Sequence, residues 1–217
     1  MHWWLTSPST GLKRSPYRAR GPIPSRKAPK HLQYESLVEE AVLHVLEVAT
    51  LPKVLNTQPR VITLQNDKKP FRYTPDVEVE TETMCFFVEI KDNSILADKA
   101  AALELREIIE LMRQGGLLLV PILERDVKQN GLLDELRELN RLRPVPGRYR
   151  DDIDASLWDP LGRIQPPEDI RKRWEEAKRI CDELLQRVMR RDPDDLLPYM
   201  SSGLLELREK FFSEKVR

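Results

Sequence analysis

The chain has 217 residues, of which 33% are charged, and its 36 basic and 36 acidic side chains give a formal net charge of zero. This length fits one packed domain, alone or with a small appendage. Two cysteines exclude a disulfide framework, and no apolar stretch reaches the length of a signal peptide or a membrane span. We therefore expect a soluble, cytoplasmic protein. Neither the three histidines nor the eight glycines show the spacing of a metal site, a catalytic triad or a phosphate loop.

Basic charge is concentrated near the start of the chain. The first 34 residues contain no acid and seven basic residues: Lys13, Arg14, Arg18, Arg20, Arg26, Lys27 and Lys30. Repeated prolines prevent regular structure, so residues 1–32 are predicted to form an extended arm. The rest of the chain holds 29 basic and 36 acidic residues. A cationic arm on an acidic body favours DNA as a partner, through counterion release from phosphates, and a solvated tail is the alternative.

The pattern that follows the arm is typical of an α/β core. Residues 35–48 have helical periodicity, with Glu40 and Glu47 on the expected solvated face and Glu35 and Glu39 beside the apolar stripe. The later predicted elements are strands at 60–65, 71–80 and 84–91, a helix at 95–114, a buried strand at 117–123 and a helix at 131–142. This order predicts a three-stranded meander that leads through a helical crossover to a fourth strand.

The composition changes after residue 144. A turn-rich connection precedes an amphipathic helix at 167–190, with Trp174 as its anchor, and a further helical piece is predicted at 203–215. We therefore divide the chain into an arm (1–32), an α/β core (33–144) and a helical C-terminal region (145–217). That last region is interpreted as a small appendage or a partner-binding tail.

Three charged residues in the predicted strands are candidates for catalysis. Strand alternation places Glu89 and Lys91 on one face of the third strand, and Asp76 follows a proline in the second. The sequence does not set the register between these strands, but a bend at the proline could turn Asp76 toward the other two.

Two adjacent carboxylates provide the hard oxygen ligands that Mg²⁺ prefers. A bound Mg²⁺ can polarise a phosphoryl oxygen, and a neighbouring lysine can offset charge on the phosphate. Glu39 or Glu35 could complete a second metal position. The pattern therefore predicts phosphodiester hydrolysis, whereas an ordinary solvated strand face is the alternative.

Two motifs carry a resemblance to a known family. "PD" at 75–76 with "EIK" at 89–91 resembles the PD-(D/E)xK nuclease superfamily, whose core is restriction-endonuclease-like. Residues 25–64 resemble the start of TnsA, the endonuclease subunit of heteromeric bacterial transposons. This narrower likeness rests on Glu35 and Ser36 in the helix and on Gln58 and Pro59 before the first strand. Together the two resemblances cover about residues 22–140.

The resemblance implies roles for individual residues. Glu39 would be the helical catalytic acid and a metal ligand, with Glu35 as the competing choice. Asp76, Glu89 and the carbonyl of Ile90 would bind Mg²⁺, with Mn²⁺ as a possible substitute and two ions in the site. Lys91 would be the catalytic lysine.

It also implies a function. TnsA-type subunits cleave the 5′, non-transferred strand at transposon ends, beside a TnsB-type transposase and a TnsC-type ATPase regulator. Val38 departs from the family's preferred leucine, and residues after 145 match no family pattern. Two alternatives remain: a stand-alone restriction, repair or junction-resolving nuclease, and a non-catalytic assembly subunit.

Overall fold

The computed structural model describes residues 19–57, 59–65, 69–128, 131–142 and 168–191. The sequence-based predictions that lie outside these ranges concern Lys13, Arg14, Arg18, Gln58 and the helical piece at 203–215.

A four-stranded mixed sheet lies at the centre of the molecule. In chain order, the strands are β1 (Gly21–Ile23), β2 (Leu32–Tyr34), β3 (Val54–Asn56), β4 (Ile62–Gln65), β5 (Pro70–Tyr73), β6 (Val77–Glu80), β7 (Cys85–Lys91) and β8 (Leu119–Leu123). The central sheet has the order β3-β6-β7-β8, in which β7 is antiparallel to β6 and parallel to β8. β1 pairs with β2, and β4 pairs with β5, as two separate two-stranded ribbons.

Helices cover both faces of this sheet. They are α1 (Leu37–Val48), α2 (Lys99–Gln114), α3 (Glu124–Val127), α4 (Leu132–Leu142) and α5 (Glu168–Met189), with a 3₁₀ helix at Asn93–Leu96. One apolar cluster joins α1, α4 and α5 to one sheet face, and a second joins α2 and the β4–β5 ribbon to the other. A helical crossover between parallel β7 and β8 confirms the predicted α/β class. Within the described residues, no helix combines the length and apolarity needed to cross a membrane.

The predicted strand at 71–80 is in fact two strands. It divides at residues 74–76, where β5 pairs with β4 and β6 pairs with β3 and β7. Pro75 lies in this break, and proline has no N–H to donate to a ladder. The three-residue strand β3 was not predicted, because so short a segment shows no clear periodicity.

The described part of the predicted arm packs on the rest of the fold. Residues 21–34 contain the β1–β2 hairpin, which places Ile23 and Leu32 in the first apolar cluster. Pro22 is tolerated because it lies in a strand of a two-stranded ribbon. The arm predicted over residues 1–32 is therefore wrong from Gly21 onward.

The helix predicted at 167–190 is confirmed, but the boundary drawn before it is not supported. Trp174, Cys181 and Leu185 of α5 are buried in the same cluster as α1. Asp182 also accepts hydrogen bonds from the backbone N–H and the hydroxyl of Thr50, at 2.7 and 2.6 Å. α5 is therefore part of the core.

The polar face predicted for α1 is also buried. Glu40 is 7% exposed. Its carboxylate accepts two hydrogen bonds from the guanidinium of Arg137 in α4, at 2.9 and 2.6 Å. Glu47 is 1% exposed and accepts from the Ser25 hydroxyl at 2.7 Å. Periodicity marked these carboxylates as solvated because it could not show that α4 and the hairpin segment cover them.

Candidate active site at the end of strand β7

Asp76 and Glu89 lie close together where β6 begins beside β7. β6 and β7 pair with Val77 across from Val88, and Asp76 lies in the bend just before β6. The N–H of Asp76 donates to the Val88 carbonyl at 3.1 Å, so Asp76 and Val77 lie beside the same residue of β7. Lys91 follows two residues after Glu89 and therefore shares its face of the strand.

The carboxylate of Asp76 is held against the backbone of β7. Its Oδ2 accepts a hydrogen bond from the N–H of Ile90 at 2.6 Å. The N–H and C=O of one strand residue point to the same side, so the Ile90 carbonyl is also directed toward the β6 side. This geometry is consistent with the role that the resemblance implies for that carbonyl.

Glu89 is held by two neighbours. It is 6% exposed, its Oε1 contacts the Lys91 ammonium at 2.5 Å, and its Oε2 accepts from the Tyr73 hydroxyl at 2.5 Å. The Lys91 side chain is 39% exposed, so its ammonium lies between the buried Glu89 and solvent.

Burial and like charge both act on this pair of acids. Burial, followed by the negative charge of Glu89, raises the pKa of Asp76 to about 7. The Ile90 N–H and the Lys91 charge oppose this rise. The pKa of Lys91 is raised because the Glu89 charge and hydrogen bond outweigh the opposing effect of burial. Ionising Asp76 near neutral pH therefore costs free energy, because the site is buried and already carries the charge of Glu89.

Glu39 lies near the pair but serves first as a helix cap. Its carboxylate accepts from the N–H of Glu35 at 2.7 Å and from the Ser36 hydroxyl at 3.1 Å, and its own N–H donates to Ser36. Ser36 thus caps the helix, and the Glu39 side chain bonds back to the residue before the cap. The charge of Glu39 also raises the pKa of Asp76, whereas Glu35 lies 4.0 Å from Arg20 in an ion pair. The structure therefore favours Glu39 over Glu35 as the helical acid.

The site offers only a few ligands for a cation. Within the described ranges, no group of three or more His, Cys, Asp or Glu side chains is arranged to hold a metal ion. Asp76 and Glu89 supply two carboxylates, and the Ile90 carbonyl could supply a third oxygen, all of a type suited to Mg²⁺. The two acids lie close enough for their charges to interact, and Lys91 contacts Glu89. A hard divalent ion therefore fits this set chemically, with the remaining ligands left to water or a phosphate.

Sequence reasoning missed Tyr73. Its hydroxyl donates to Glu89 from the last residue of β5, just before the bend at Pro75. The only signal in the sequence was its position three residues before Asp76. That position points to a contact with the acidic pair only once the break between β5 and β6 is known.

A second buried acid shares the face of Asp76 but has a structural partner. Glu78 is 5% exposed and accepts from Arg60 at 2.7 Å. Cys85 contacts the same Glu78 oxygen at 3.7 Å, and burial followed by that charge raises the pKa of its thiol to about 11. Arg60 thus neutralises a buried carboxylate.

The predicted DNA-binding residues divide into two groups. Lys27 is 8% exposed, and its ammonium donates to the carbonyls of Leu46, at 2.9 Å, and Ala49, at the end of α1. It stabilises a helix C-terminus, so its assignment as a DNA contact is wrong for this structure. Lys30 is exposed, and Arg20 lies beside the start of α1, at the same helix end as Glu39.

Comparison with known proteins adds no identification. No protein-family model matches the sequence, and no curated protein matches it significantly. The likeness to TnsA therefore stays a hypothesis that rests on the quoted motifs and is judged by the geometry of the site.

Proposed function

We propose that the chain is a metal-dependent DNA endonuclease subunit of a heteromeric transposase, of the TnsA type, on a restriction-endonuclease-like core. One observation carries the proposal: Asp76, in the bend before β6, lies close enough to Glu89 of β7 for their charges to interact, and Lys91 contacts Glu89. These are the residues that the motif names, and strand pairing brings them together.

Each side chain has a definite task in this proposal. Asp76 and Glu89 bind the cation, and the N–H of Ile90 keeps Asp76 turned toward Glu89. A bound Mg²⁺ would supply Lewis-acid stabilisation of the phosphate and a nucleophilic hydroxide at neutral pH. Lys91 is exposed enough to donate a hydrogen bond to a phosphate oxygen on which charge develops. Glu39, at the start of α1, adds negative potential beside Asp76.

The basic residues position the duplex in this proposal. Arg20 is partly exposed and Lys30 is exposed. In this proposal Lys13, Arg14 and Arg18 would contribute further phosphate contacts. Such contacts go to phosphates and carry no sequence information. Recognition of the transposon ends is therefore assigned to the TnsB-type partner, and regulation to the TnsC-type ATPase.

The testing experiment combines a binding measurement with a cleavage assay. Mn²⁺ is titrated by calorimetry into the purified wild type and into Asp76→Ala, and both proteins are incubated with supercoiled plasmid. We expect the wild type to bind Mn²⁺ without nicking on its own, and Asp76→Ala to lose binding. Cleavage by the lone wild type would favour a stand-alone nuclease. No Mn²⁺ binding would contradict the proposal and favour a non-catalytic assembly subunit.

A further inference from the structure

Tyr73 links the β4–β5 ribbon to the acidic pair. Its hydroxyl donates to Glu89 Oε2 at 2.5 Å, and its ring packs against the second apolar cluster. In the ribbon Tyr73 pairs with Ile62, which is buried in that cluster. The ring is therefore fixed by packing, and the hydroxyl is presented to Glu89 from a rigid position.

Glu89 needs such a constraint. The nearby negative charges of Asp76 and Glu89 repel, so Glu89 would gain by rotating away from Asp76. Lys91 contacts only Oε1, and its side chain is long and 39% exposed. The Tyr73 hydroxyl holds the other oxygen, Oε2, from the ribbon side. A carboxylate oxygen has two acceptor sites, so this hydrogen bond leaves room for a cation on the same group.

We propose that Tyr73 is a positioning residue of the metal site, which orients Glu89 toward Asp76 before the cation arrives. This inference rests on the proposed metal-dependent function. It assigns Tyr73 no direct contact with substrate or metal. Hydrogen-bond partners of metal ligands generally raise metal affinity by fixing the orientation of the ligand.

The first test compares Mn²⁺ affinity in three proteins by calorimetry: wild type, Tyr73→Phe and Tyr34→Phe. Tyr34→Phe is the matched control, because Tyr34 lies in the β1–β2 hairpin and packs on the opposite apolar cluster. We expect Tyr73→Phe to weaken Mn²⁺ binding about 10-fold or more, with no change in Tyr34→Phe. Thermal unfolding without metal checks that both variants are folded.

The second test is spectroscopic and reports the hydrogen bond itself. Near-ultraviolet tyrosine absorption of the metal-free protein is compared between wild type and Glu89→Gln. A phenol that donates to a carboxylate should absorb at longer wavelength than one that donates to an amide. The expected shift should be absent when the same comparison is made in the Tyr73→Phe background.

These outcomes separate the two ideas. If the wild type binds Mn²⁺ and Tyr73→Phe binds it equally well, the positioning role is overturned and the proposed function stands. If the wild type does not bind Mn²⁺, both fail. If the absorption shift is absent, Tyr73 does not hold Glu89 in solution, and the inference is likewise overturned.

Discussion

Asp76→Asn should make the metal-free protein more stable at neutral pH. Asparagine keeps an oxygen that can accept from the Ile90 N–H, and it removes the negative charge that lies near Glu89. The substitution therefore measures the free-energy cost of ionising Asp76 in a partly buried site, while the hydrogen bond from Ile90 is kept.

The magnitude follows from the pKa of Asp76. It is raised from 3.8 to about 7 in the folded state, and three units correspond to about 4 kcal/mol. Between these pH values the folded state binds more protons than the unfolded chain, so the free energy of unfolding falls as pH rises. The cost is small near pH 4 and complete above about pH 7. About 4 kcal/mol is an upper limit, because Asp76 is partly exposed to solvent.

The assay is urea unfolding in EDTA at several pH values between the two limits. The stability advantage of Asp76→Asn over wild type should grow with pH and then level off. Glu104→Gln is the control, since it removes one exposed carboxylate on α2 and changes the net charge equally. Saturating Mn²⁺ should stabilise the wild type and not Asp76→Asn. A stability difference that does not depend on pH would refute the reasoning.

Four further predictions concern single side chains. Lys91→Ala should retain Mn²⁺ binding but slow cleavage in the full transposition mixture about 100-fold or more, and an unchanged rate would remove its catalytic role. Arg60→Ala should lower the free energy of unfolding by about 2 kcal/mol, because it leaves the buried Glu78 carboxylate without its cation; urea unfolding of both proteins measures this. Lys27→Met should destabilise the fold by about 2 kcal/mol without changing the salt dependence of DNA binding. Lys30→Met should instead reduce that salt slope by about 0.9 if Lys30 contacts a phosphate, and equal slopes would exclude the contact.

The secondary structure was predictable where it depends on local patterns. The helix over α1, the long α2 ended at Gly115, and the apolar strand β8 all have periodicity and end signals within their own segments. β1, β2 and β3 are three-residue strands: β1 and β2 pair with each other and pack on the first apolar cluster, and β3 pairs with the more distant β6. Their stability comes from contacts that no local pattern encodes, so the sequence-based prediction made the hairpin segment part of an arm.

The site was predictable in its members but not in its arrangement. The spacing of Asp76, Glu89 and Lys91 identified the three charges, but the bend that places Asp76 against the backbone of β7 depends on β6–β7 pairing and on the Ile90 N–H. The capping role of Glu39 and the hydrogen bond from Tyr73 also depend on tertiary placement.

The other buried acids of the protein show why the Asp76–Glu89 pair is unusual. Asp126 is 5% exposed and is neutralised by Arg191, with the Leu123 N–H donating to its second oxygen at 2.8 Å. Each such acid is matched by its own basic or backbone donors, as a carboxylate removed from water requires. Asp76 also has a backbone donor, the Ile90 N–H, but it lies beside a second carboxylate without a basic side chain of its own among the described contacts, and burial with the charge of Glu89 raises its pKa to about 7. A divalent cation bound between these two acids would remove their repulsion, which is the role that the proposed function gives them.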